Sequence, residues 1–271
     1  RSMYGGEEQY HHGILGHDGL PTPNYTELAR AAADMKKLSA YGFPYLPVPD
    51  TAVAFSQESW WVQQCQRGQF RQDYLAGITE VSRAFSLLQK EYNMVNLRHL
   101  TGKYRLIVVP GHILMEPKAA ETIRSYNPQG GAVIMTGYSG TVDEHGQVYQ
   151  TPRPGALDDV FGIRVAGFYR TGLPGFFSGQ SQIRGENGRQ RETLTIVNER
   201  GSVCADPDYY EALELKGASV YAEYEGKSLP AVTVHPYGKG RAYYIAAETN
   251  HAVLKWMLEN LEEELGLEKG M

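Results

Sequence analysis

The chain has 271 residues, of which 42% are hydrophobic and 21% are charged, the balance of an ordinary globular protein. Its net charge of −5 lacks the concentration of Lys and Arg that nucleic acids require, and no apolar run approaches the ~20 residues of a membrane helix. Cys65 and Cys204 are its only cysteines, too few for a disulfide framework, so we expect a cytoplasmic location.

The chain opens with a polar segment, residues 1–19, that is rich in Gly, His and carboxylates. Such a density of functional groups in a loop is typical of a site. Four interpretations stay open: Glu8 and His11 binding a ligand such as a sugar, a metal site of His11, His12, His17 and Asp18, a catalytic pair of Glu7 and Glu8, or a hydrogen-bonded turn. Neighbouring side chains diverge, whereas retaining glycosidases hold two carboxyls ~5 Å apart, and the histidines lack a metal-ligand spacing. These points argue against the catalytic pair and the metal site.

A helix is predicted to begin within residues 23–27, with Asn24 as its N-cap and Glu27 reaching back to the cap N–H. Its apolar positions recur at helical spacing, at Leu28, Ala32, Met35 and Leu38. Gly42 ends the helix. Residues 43–50, FPYLPVPD, hold three prolines and therefore form a stiff extended linker. We place a domain boundary at about residue 48.

The second domain is predicted to start with a strand at residues 51–56, followed by a helical stretch that contains Trp60 and Trp61. Core packing is the default interpretation of the two tryptophans, with an interface or a sugar platform as the alternative. A long helix from Gln69 and a strand at residues 93–100 follow. The helix places apolar residues three and four apart, at Tyr74, Ile78, Val81, Phe85 and Leu88.

The stretch from residue 104 to residue 140 predicts one right-handed βαβ crossover. Residues 106–109, LIVV, and residues 132–136, AVIMT, are two strands buried on both faces. Between them Glu116-Pro117 opens a helix, since Pro is tolerated in a first helical turn. Its apolar stripe is formed by Ala119, Ala120, Ile123 and Tyr126. The domain is therefore α/β, with an open parallel sheet.

Residues 141–154 form a polar loop, in which Asp143, Glu144 and His145 fit a solvated turn better than a catalytic group. Beyond Ala156 the pattern changes to short strands between Gly- and Asn-rich turns, so antiparallel strands extend or cover the sheet. The strands are predicted at residues 194–197, 209–215, 220–224, 231–235 and 241–246, with a hairpin turn at 237–240. An amphipathic helix with an acidic face, residues 254–265, ends the pattern.

Ser139 is a candidate nucleophile, because residues 137–140, GYSG, follow a buried strand. A nucleophile elbow has the form G-x-S-x-G, but Thr141 occupies the last position here. Class I glutamine amidotransferases have Cys at the elbow of a similar layer, and this segment has none. No spacing nominates a His partner for Ser139, so a turn that tightens the strand end is the better interpretation. Gly130-Gly131 lacks the spacing of a dinucleotide site, and we expect no cofactor.

Residues 4–19, YGGEEQYHHGILGHDG, resemble the segment that closes the catalytic barrel in β-galactosidases of glycoside hydrolase family 42. They contain a G-x-E-x-x-H element followed by an H-x-G turn. The remainder is similar to the trimerisation domain of that family, a glutamine-amidotransferase-like α/β layer without catalytic residues of its own. The similarity lies at Ser59-Trp60 and at residues 104–111, 130–131, 139–144, 154–157 and 237–240.

The resemblance implies that residues 1–48 are the C-terminal tail of a (β/α)8 barrel. Residues 49–271 are then an α/β trimerisation domain, flavodoxin-like and glutamine-amidotransferase-like in its layers, with added antiparallel strands. In the family, the Glu and His of the G-x-E-x-x-H element help to hold galactose, and they correspond to Glu8 and His11. The expected partners are therefore a galactoside substrate and two further copies of the chain in a homotrimer.

The same resemblance implies a retaining β-galactosidase that hydrolyses terminal β-D-galactosides through a glycosyl-enzyme intermediate. The acid/base and nucleophile glutamates of the family lie on earlier barrel strands, and a zinc site of some members also lies upstream. Since the chain starts at Arg1 without an initiator Met or a signal peptide, we expect part of a longer enzyme, inactive alone and without a metal. The alternatives are a stand-alone amidotransferase-like hydrolase and a non-catalytic module for assembly or carbohydrate binding.

Overall fold

The computed structural model describes residues 5–11, 13–42, 48–66, 73–170 and 193–267. The chain divides into two compact units, Arg1–Val48 and Pro49–Met271. The division falls in the Pro-rich segment, of which residues 43–47 lie outside the described ranges. No helix within these ranges is long and apolar enough to cross a membrane.

The first unit contains helix α1, Pro23–Leu38, between two 3-10 helices, Glu7–Tyr10 and Ser39–Tyr41. Gly42 ends this helical segment as predicted, because its φ of 83° is the left-handed conformation that glycine adopts without strain. Every residue of α1 is exposed, including the apolar positions that recur at helical spacing. The apolar stripe of α1 is therefore real but uncovered.

The N-cap of α1 differs from the prediction. Thr22, and not Asn24, is the capping residue, and its Oγ1 accepts the N–H of Tyr25 over 3.3 Å. Pro23 then occupies the first helical position, where the missing N–H of proline needs no partner. The sequence allows the helix to begin after Thr22 or after Asn24, and Pro23 at the first helical position favours the earlier start.

The second unit contains eleven strands and five helices among its described residues. The strands are β1 (Thr51–Ala54), β2 (Asn93–Val95), β3 (Leu106–Val109), β4 (Ala132–Thr136), β5 (Ile163–Arg170), β6 (Leu194–Asn198), β7 (Gly201–Ala205), β8 (Tyr209–Leu215), β9 (Ser219–Tyr224), β10 (Leu229–Tyr237) and β11 (Gly240–Ile245). The helices are α2 (Gln57–Cys65), α3 (Tyr74–Leu87), α4 (Pro117–Tyr126), α5 (Asp158–Phe161) and α6 (His251–Leu265).

Nine of these strands form one sheet in the order β2-β1-β3-β4-β11-β10-β9-β6-β7. The first five strands of this order run parallel to one another, and the remaining neighbours pair antiparallel. Strands β5 and β8 form a separate antiparallel pair, which we call the ribbon. The class is therefore mixed α/β with added antiparallel strands, as the sequence predicts.

Helices pack on both faces of the nine-stranded sheet. Alternate residues of β3 show this arrangement, because successive side chains of a strand point to opposite faces. Leu106 and Val108 belong to a buried cluster with α3 and α6, and Ile107 and Val109 belong to a second one with α4 and α5. Burying each such side chain stabilises the fold by about 1.5–3 kcal/mol.

The predicted βαβ crossover is confirmed. Strands β3 and β4 pair in parallel, and α4 begins at Pro117 directly after Glu116. The five late strands are confirmed as well, and so is the hairpin turn, where Tyr237 pairs with Gly240. Strands β5 and β7 were not predicted.

Two predicted boundaries and one packing assignment are wrong. Helix α3 begins at Tyr74, because the Asp73 carboxylate caps it, and residues 69–72 of the predicted helix lie outside the described ranges. Strand β2 ends at Val95, because the side chain of Asn96 caps a 3-10 turn there. Trp61 is 55% exposed, so the assignment of both tryptophans to the core fails for this residue.

Candidate functional site

The polar segment at the start of the chain brings Glu8 and His11 to one turn. The N–H of His11 donates to the carbonyl oxygen of Glu8 over 3.1 Å, so the two residues open and close the turn. His17 supports it from outside through a hydrogen bond between its Nε2 and the carbonyl oxygen of Gln9, at 3.1 Å. Glu8 and His11 are both exposed, which gives a ligand access to them.

The other interpretations of this segment find less support in the geometry. Glu7 and Glu8 are consecutive residues of a 3-10 helix, whose side chains point in different directions. Asp18 accepts the N–H of Leu20 over 2.9 Å and so serves a turn. Over the described ranges, no three His, Cys, Asp or Glu side chains group to hold a metal ion, and His12 lies outside those ranges.

In open α/β sheets, ligands usually bind at the carboxyl ends of the parallel strands. Between the loops that follow β3, β4 and β11, the cavity measures only about 10 Å³, the lower limit for one water molecule. The Oγ1 of Thr136 fills this edge, since it accepts the N–H of Gly111 over 2.8 Å and bonds to Thr249 Oγ1 over 2.9 Å. Among the described residues, the part of the edge between β3 and β4 therefore leaves no room for a ligand.

Ser139 does not occupy the position of a nucleophile. The residue in the left-handed conformation after β4 is Tyr138, at φ 70°, and its ring stacks on Tyr209 with 3.7 Å between centroids. Ser139 is buried, and its Oγ accepts the backbone N–H of His112 over 2.9 Å. No hydrogen bond joins this hydroxyl to an imidazole in the described part of the chain, so the geometry favours the tight turn.

The loop at residues 141–154 contains a structural turn as well. Asp143 Oδ1 accepts the N–H groups of His145 and Gln147, each over 2.9 Å. Glu144 and His145 are both well exposed, and 4.0 Å separates Glu144 Oε1 from His145 Nε2. The solvated-turn interpretation of this segment is confirmed.

A buried charged cluster surrounds Glu211 in β8. Its carboxylate is fully buried and accepts hydrogen bonds from Tyr209 OH at 2.5 Å, Tyr244 OH at 2.6 Å and Arg153 Nη1 at 3.3 Å. Burial and the Glu211 charge raise the pKa of Tyr209 well above its usual range, so this hydroxyl stays protonated as a donor. Burial alone would lower the pKa of Arg153, but Glu211 and Tyr209 raise it. The charged groups of this cluster are paired with one another, so the cluster has a structural role.

A second charged cluster joins the loops after β1, β2 and β3. Arg98 contacts Glu58, and its Nη1 lies 3.0 Å from Glu116 Oε1. Burial acts to raise the pKa of Glu58, but hydrogen bonds and the charge of Arg98 lower it, whereas burial raises the pKa of Glu116. Buried beside them, His112 has its pKa lowered to about 4 by burial and is neutral at pH 7. One guanidinium shared by two carboxylates acts as a clamp between loops.

One open cavity among the described residues of this unit is a cleft of about 370 Å³ between α3, the start of α6 and the loop before β8. Its carboxylates belong to Glu80, Asp206, Asp208 and Glu248, and we call it the acidic cleft. His251 closes one wall, since Glu80 Oε2 accepts its backbone N–H over 2.9 Å and lies 2.5 Å from its Nδ1. Such a lining suits a cationic group.

Sequence reasoning predicted none of these three charged groups. Their members come from different helices, strands and loops, and Arg153 and Glu211 lie 58 residues apart. One signal was available, because Glu211 interrupts the otherwise apolar start of the run YYEALEL in β8. An acidic residue within a strand that buries both neighbours indicates a buried partner.

Comparison with known proteins places the fold and the family. Residues 49–268 match the family model described as the β-galactosidase trimerisation domain. The β-galactosidase LacZ of Heyndrickxia coagulans is 26% identical over 270 residues, which cover 97% of this chain and 38% of that protein. The β-galactosidase GalA of Bacillus licheniformis is also 26% identical, over 100% of this chain and 38% of its own length.

Solved structures show the same fold. The crystal structure of the β-galactosidase from Bacillus circulans sp. alkalophilus matches with a TM-score of 0.82 at 23% identity, over 99% of this chain and 39% of that one. The fold is thus the mixed α/β fold of these enzymes. The chain belongs to the family of β-galactosidase trimerisation domains, as the resemblance in the sequence implied, and it spans about 38% of the length of these curated relatives.

Proposed function

We propose that this chain is the assembly part of a retaining β-galactosidase that hydrolyses terminal β-D-galactosides. The match of residues 49–268 to the trimerisation domain carries the proposal. Retaining glycosidases need two carboxyls ~5 Å apart across an open site. In the second unit, the partly buried carboxylates of Glu58 and Glu116 and the fully buried carboxylate of Glu211 are each held by an arginine. In this proposal, the catalytic glutamates belong to the part of the relatives that this chain does not span.

Residues 1–48 are, in this proposal, the tail of a (β/α)8 barrel. The exposed turn with Glu8 and His11 supports a role in holding galactose, since both side chains can hydrogen-bond to hydroxyl groups. The uncovered apolar stripe of α1 supports the barrel, because Leu28, Met35 and Leu38 are each about half exposed. An exposed stripe of this kind marks a surface that packs against another element.

Residues 49–271 serve, in this proposal, as a glutamine-amidotransferase-like layer that has no catalysis of its own and joins three copies. The tight packing at the carboxyl ends of β3 and β4 supports the loss of catalysis, and the helices on both sheet faces support the layered architecture. The two free, exposed cysteines favour a reducing cytoplasm.

The mass of the purified chain in solution tests the assembly role. We expect light scattering to give about three times the 30.2 kDa of one chain, because a closed three-fold ring is the assembly that the family description implies. A monomer at all concentrations measured would refute the assembly role of residues 49–271.

A further inference from the structure

The short turn that presents Glu8 and His11 has few bonds of its own to hold it in one conformation. It is built on the 3-10 helix Glu7–Tyr10, of which no residue is buried. Within it, the N–H of Gln9 donates to the carbonyl oxygen of Gly6 over 3.4 Å, and the N–H of His11 to that of Glu8 over 3.1 Å. A single 3-10 turn has poor hydrogen-bond geometry. Support from outside is therefore needed to fix its shape.

The shape of this turn sets the directions of both side chains. In a 3-10 helix, side chains three residues apart lie one above the other. His11 follows the helix as its C-cap, three residues after Glu8, so the two side chains project from the same side of the turn. Two such groups bind the same sugar only while the peptide groups between them keep their orientation.

His17 lies at the tip of a closed loop that follows this turn. Leu15 and Pro21 pair as an antiparallel bridge at the base of the loop. At the tip, the Asp18 Oδ1 accepts the N–H of Leu20 over 2.9 Å. These contacts hold the backbone on both sides of His17.

The side chain of Thr22 fixes the same loop to the start of α1. Its Oγ1 donates to the carbonyl oxygen of Ile14 over 2.7 Å and accepts the N–H of Tyr25 over 3.3 Å. One hydroxyl thus joins the loop to a helix of 16 residues. The loop is therefore an ordered base from which a side chain can support a neighbouring segment.

The imidazole of His17 contacts the middle of the turn. Its Nε2 lies 3.1 Å from the carbonyl oxygen of Gln9, which belongs to the chain between Glu8 and His11. A carbonyl oxygen can only accept, so Nε2 carries a proton and donates it to this hydrogen bond. The contact joins residues eight positions apart and fixes the direction of this peptide group.

We propose that His17 is a positioning residue of the galactose site, an inference that rests on the proposed role of Glu8 and His11. The Nε2–H of His17 holds the Gln9 carbonyl, while the loop and Thr22 hold His17 itself. His17 acts on the sugar through Glu8 and His11 and does not contact it. Without this hydrogen bond, the two sugar-binding side chains lose their common direction, which weakens the binding of galactose.

The test uses an enzyme that carries this chain with its proposed barrel. His17→Leu removes the donor and keeps an apolar side chain, whereas His17→Gln keeps an N–H donor. His145→Leu is the matched control, because His145 is an exposed histidine of the loop at residues 141–154. Glu8→Ala and His11→Ala serve as references for the loss of a sugar contact. The measured quantity is the inhibition constant of galactose as a competitive inhibitor, which does not depend on the fraction of enzyme that is folded.

We expect His17→Leu to raise this inhibition constant about fivefold, the effect of losing one hydrogen bond. His17→Gln should restore the wild-type value, and His145→Leu should keep it. A residue that only stabilises the fold would leave the constant unchanged. Circular dichroism and light scattering should give the wild-type spectrum and mass for every variant, and His17→Ala replaces His17→Leu if that variant loses the native spectrum.

Two outcomes overturn the inference and leave the proposed function standing. One is a wild-type inhibition constant in His17→Leu when Glu8→Ala or His11→Ala raises it. The other is an equal increase in His17→Leu and His17→Gln, because the donor would then have no part in the effect. A wild-type constant in both Glu8→Ala and His11→Ala is a different result, since it refutes the proposed sugar site and the inference together.

Discussion

Glu211 shows how a single buried charge joins several segments of the second unit. Its carboxylate accepts hydrogen bonds from Tyr209 in β8, Tyr244 in β11 and Arg153 in the polar loop. A buried carboxylate is tolerated only when it is paired, because its desolvation costs several kcal/mol. Glu211 therefore holds the ribbon against the nine-stranded sheet.

We predict that Glu211→Gln lowers the free energy of unfolding by about 3 kcal/mol, because the substitution leaves the largely buried Arg153 without its counter-charge. Urea unfolding followed by circular dichroism measures the change. Glu214→Gln is the matched control, since Glu214 lies in the same strand, pairs with Arg164 and is exposed. An equal decrease in the free energy of unfolding in both variants would show that the buried contacts of Glu211 do not stabilise the fold.

Glu8 and His11 give a second prediction at this scale. In an enzyme that carries this chain with its proposed barrel, Glu8→Ala and His11→Ala should each lower kcat/KM for a galactoside at least tenfold. The reason is that each loses a hydrogen bond from a charged or polar group to the sugar, a contact of about 1.5–3 kcal/mol. Steady-state kinetics measure the loss.

Glu27→Ala serves as the control for these two substitutions, because Glu27 is exposed and pairs only with Arg30 on α1 among the described residues. The mass of all variants should remain that of the wild type. Kinetics unchanged in both Glu8→Ala and His11→Ala would remove these residues from the sugar site.

At the scale of elements, the contact between Glu80 and His251 ties α3 to the start of α6. Burial alone would raise the pKa of Glu80, but the hydrogen bonds and the charge of His251 outweigh it and lower this pKa below the ordinary value of 4.5. A depressed carboxylate pKa in the folded state stabilises the fold above the unfolded pKa, and this stabilisation is lost as the pH falls.

The prediction is therefore a fall in the free energy of unfolding below about pH 4.5, which is shallower in Glu80→Gln. Urea unfolding at a series of pH values from neutral to acid measures both slopes. Glu199→Gln, in the exposed turn between β6 and β7, should keep the wild-type slope. Identical slopes in all three proteins would contradict a role for Glu80 in acid stability.

The elements that the sequence predicts are those with strong local signals. The runs LIVV and AVIMT could be read as buried strands, because parallel strands covered on both faces are apolar throughout. Strand β7 could not be predicted in this way, because it is the edge of the sheet and buries only Ala205. Strand β5 could not be predicted either, because a register shift between Val165 and Gly167 breaks its alternation.

The candidate site could be predicted only in part. Glu8 and His11 were found because the spacing G-x-E-x-x-H lies within one short segment. The clamp between Arg98 and Glu58 joins residues 40 positions apart, and it depends on which strands become neighbours. The order of strands in this sheet does not follow their order in the chain. Local sequence patterns therefore do not predict such contacts.

At the scale of the whole molecule, the second unit is a mixed α/β layer whose carboxyl edge is tightly packed beyond β3 and β4. Thr136, Tyr138 and Ser139 fill the space beyond the strands with hydrogen bonds and ring stacking. One fold can host many functions, because function depends on the site and not on the layers. In the proposed function, these layers serve assembly.

We predict that the purified chain does not hydrolyse a nitrophenyl β-galactoside above the rate of a blank, because in the proposed enzyme the acid/base and nucleophile glutamates belong to the barrel strands that this chain does not span. Release of nitrophenol, followed by absorbance at high protein concentration, measures the rate. Ser139→Ala is the control for a hidden activity of the α/β layer. Turnover that disappears in Ser139→Ala would instead support an amidotransferase-like hydrolase.

Strand β11 lies between β4 and β10, and it is the seam between the parallel and antiparallel halves of the sheet. During synthesis, β4 leaves the ribosome long before the segment that will lie beside it. The middle of the sheet therefore stays open until residues 240–245 are made. Loss of these residues would accordingly remove the centre of the sheet, and not a margin.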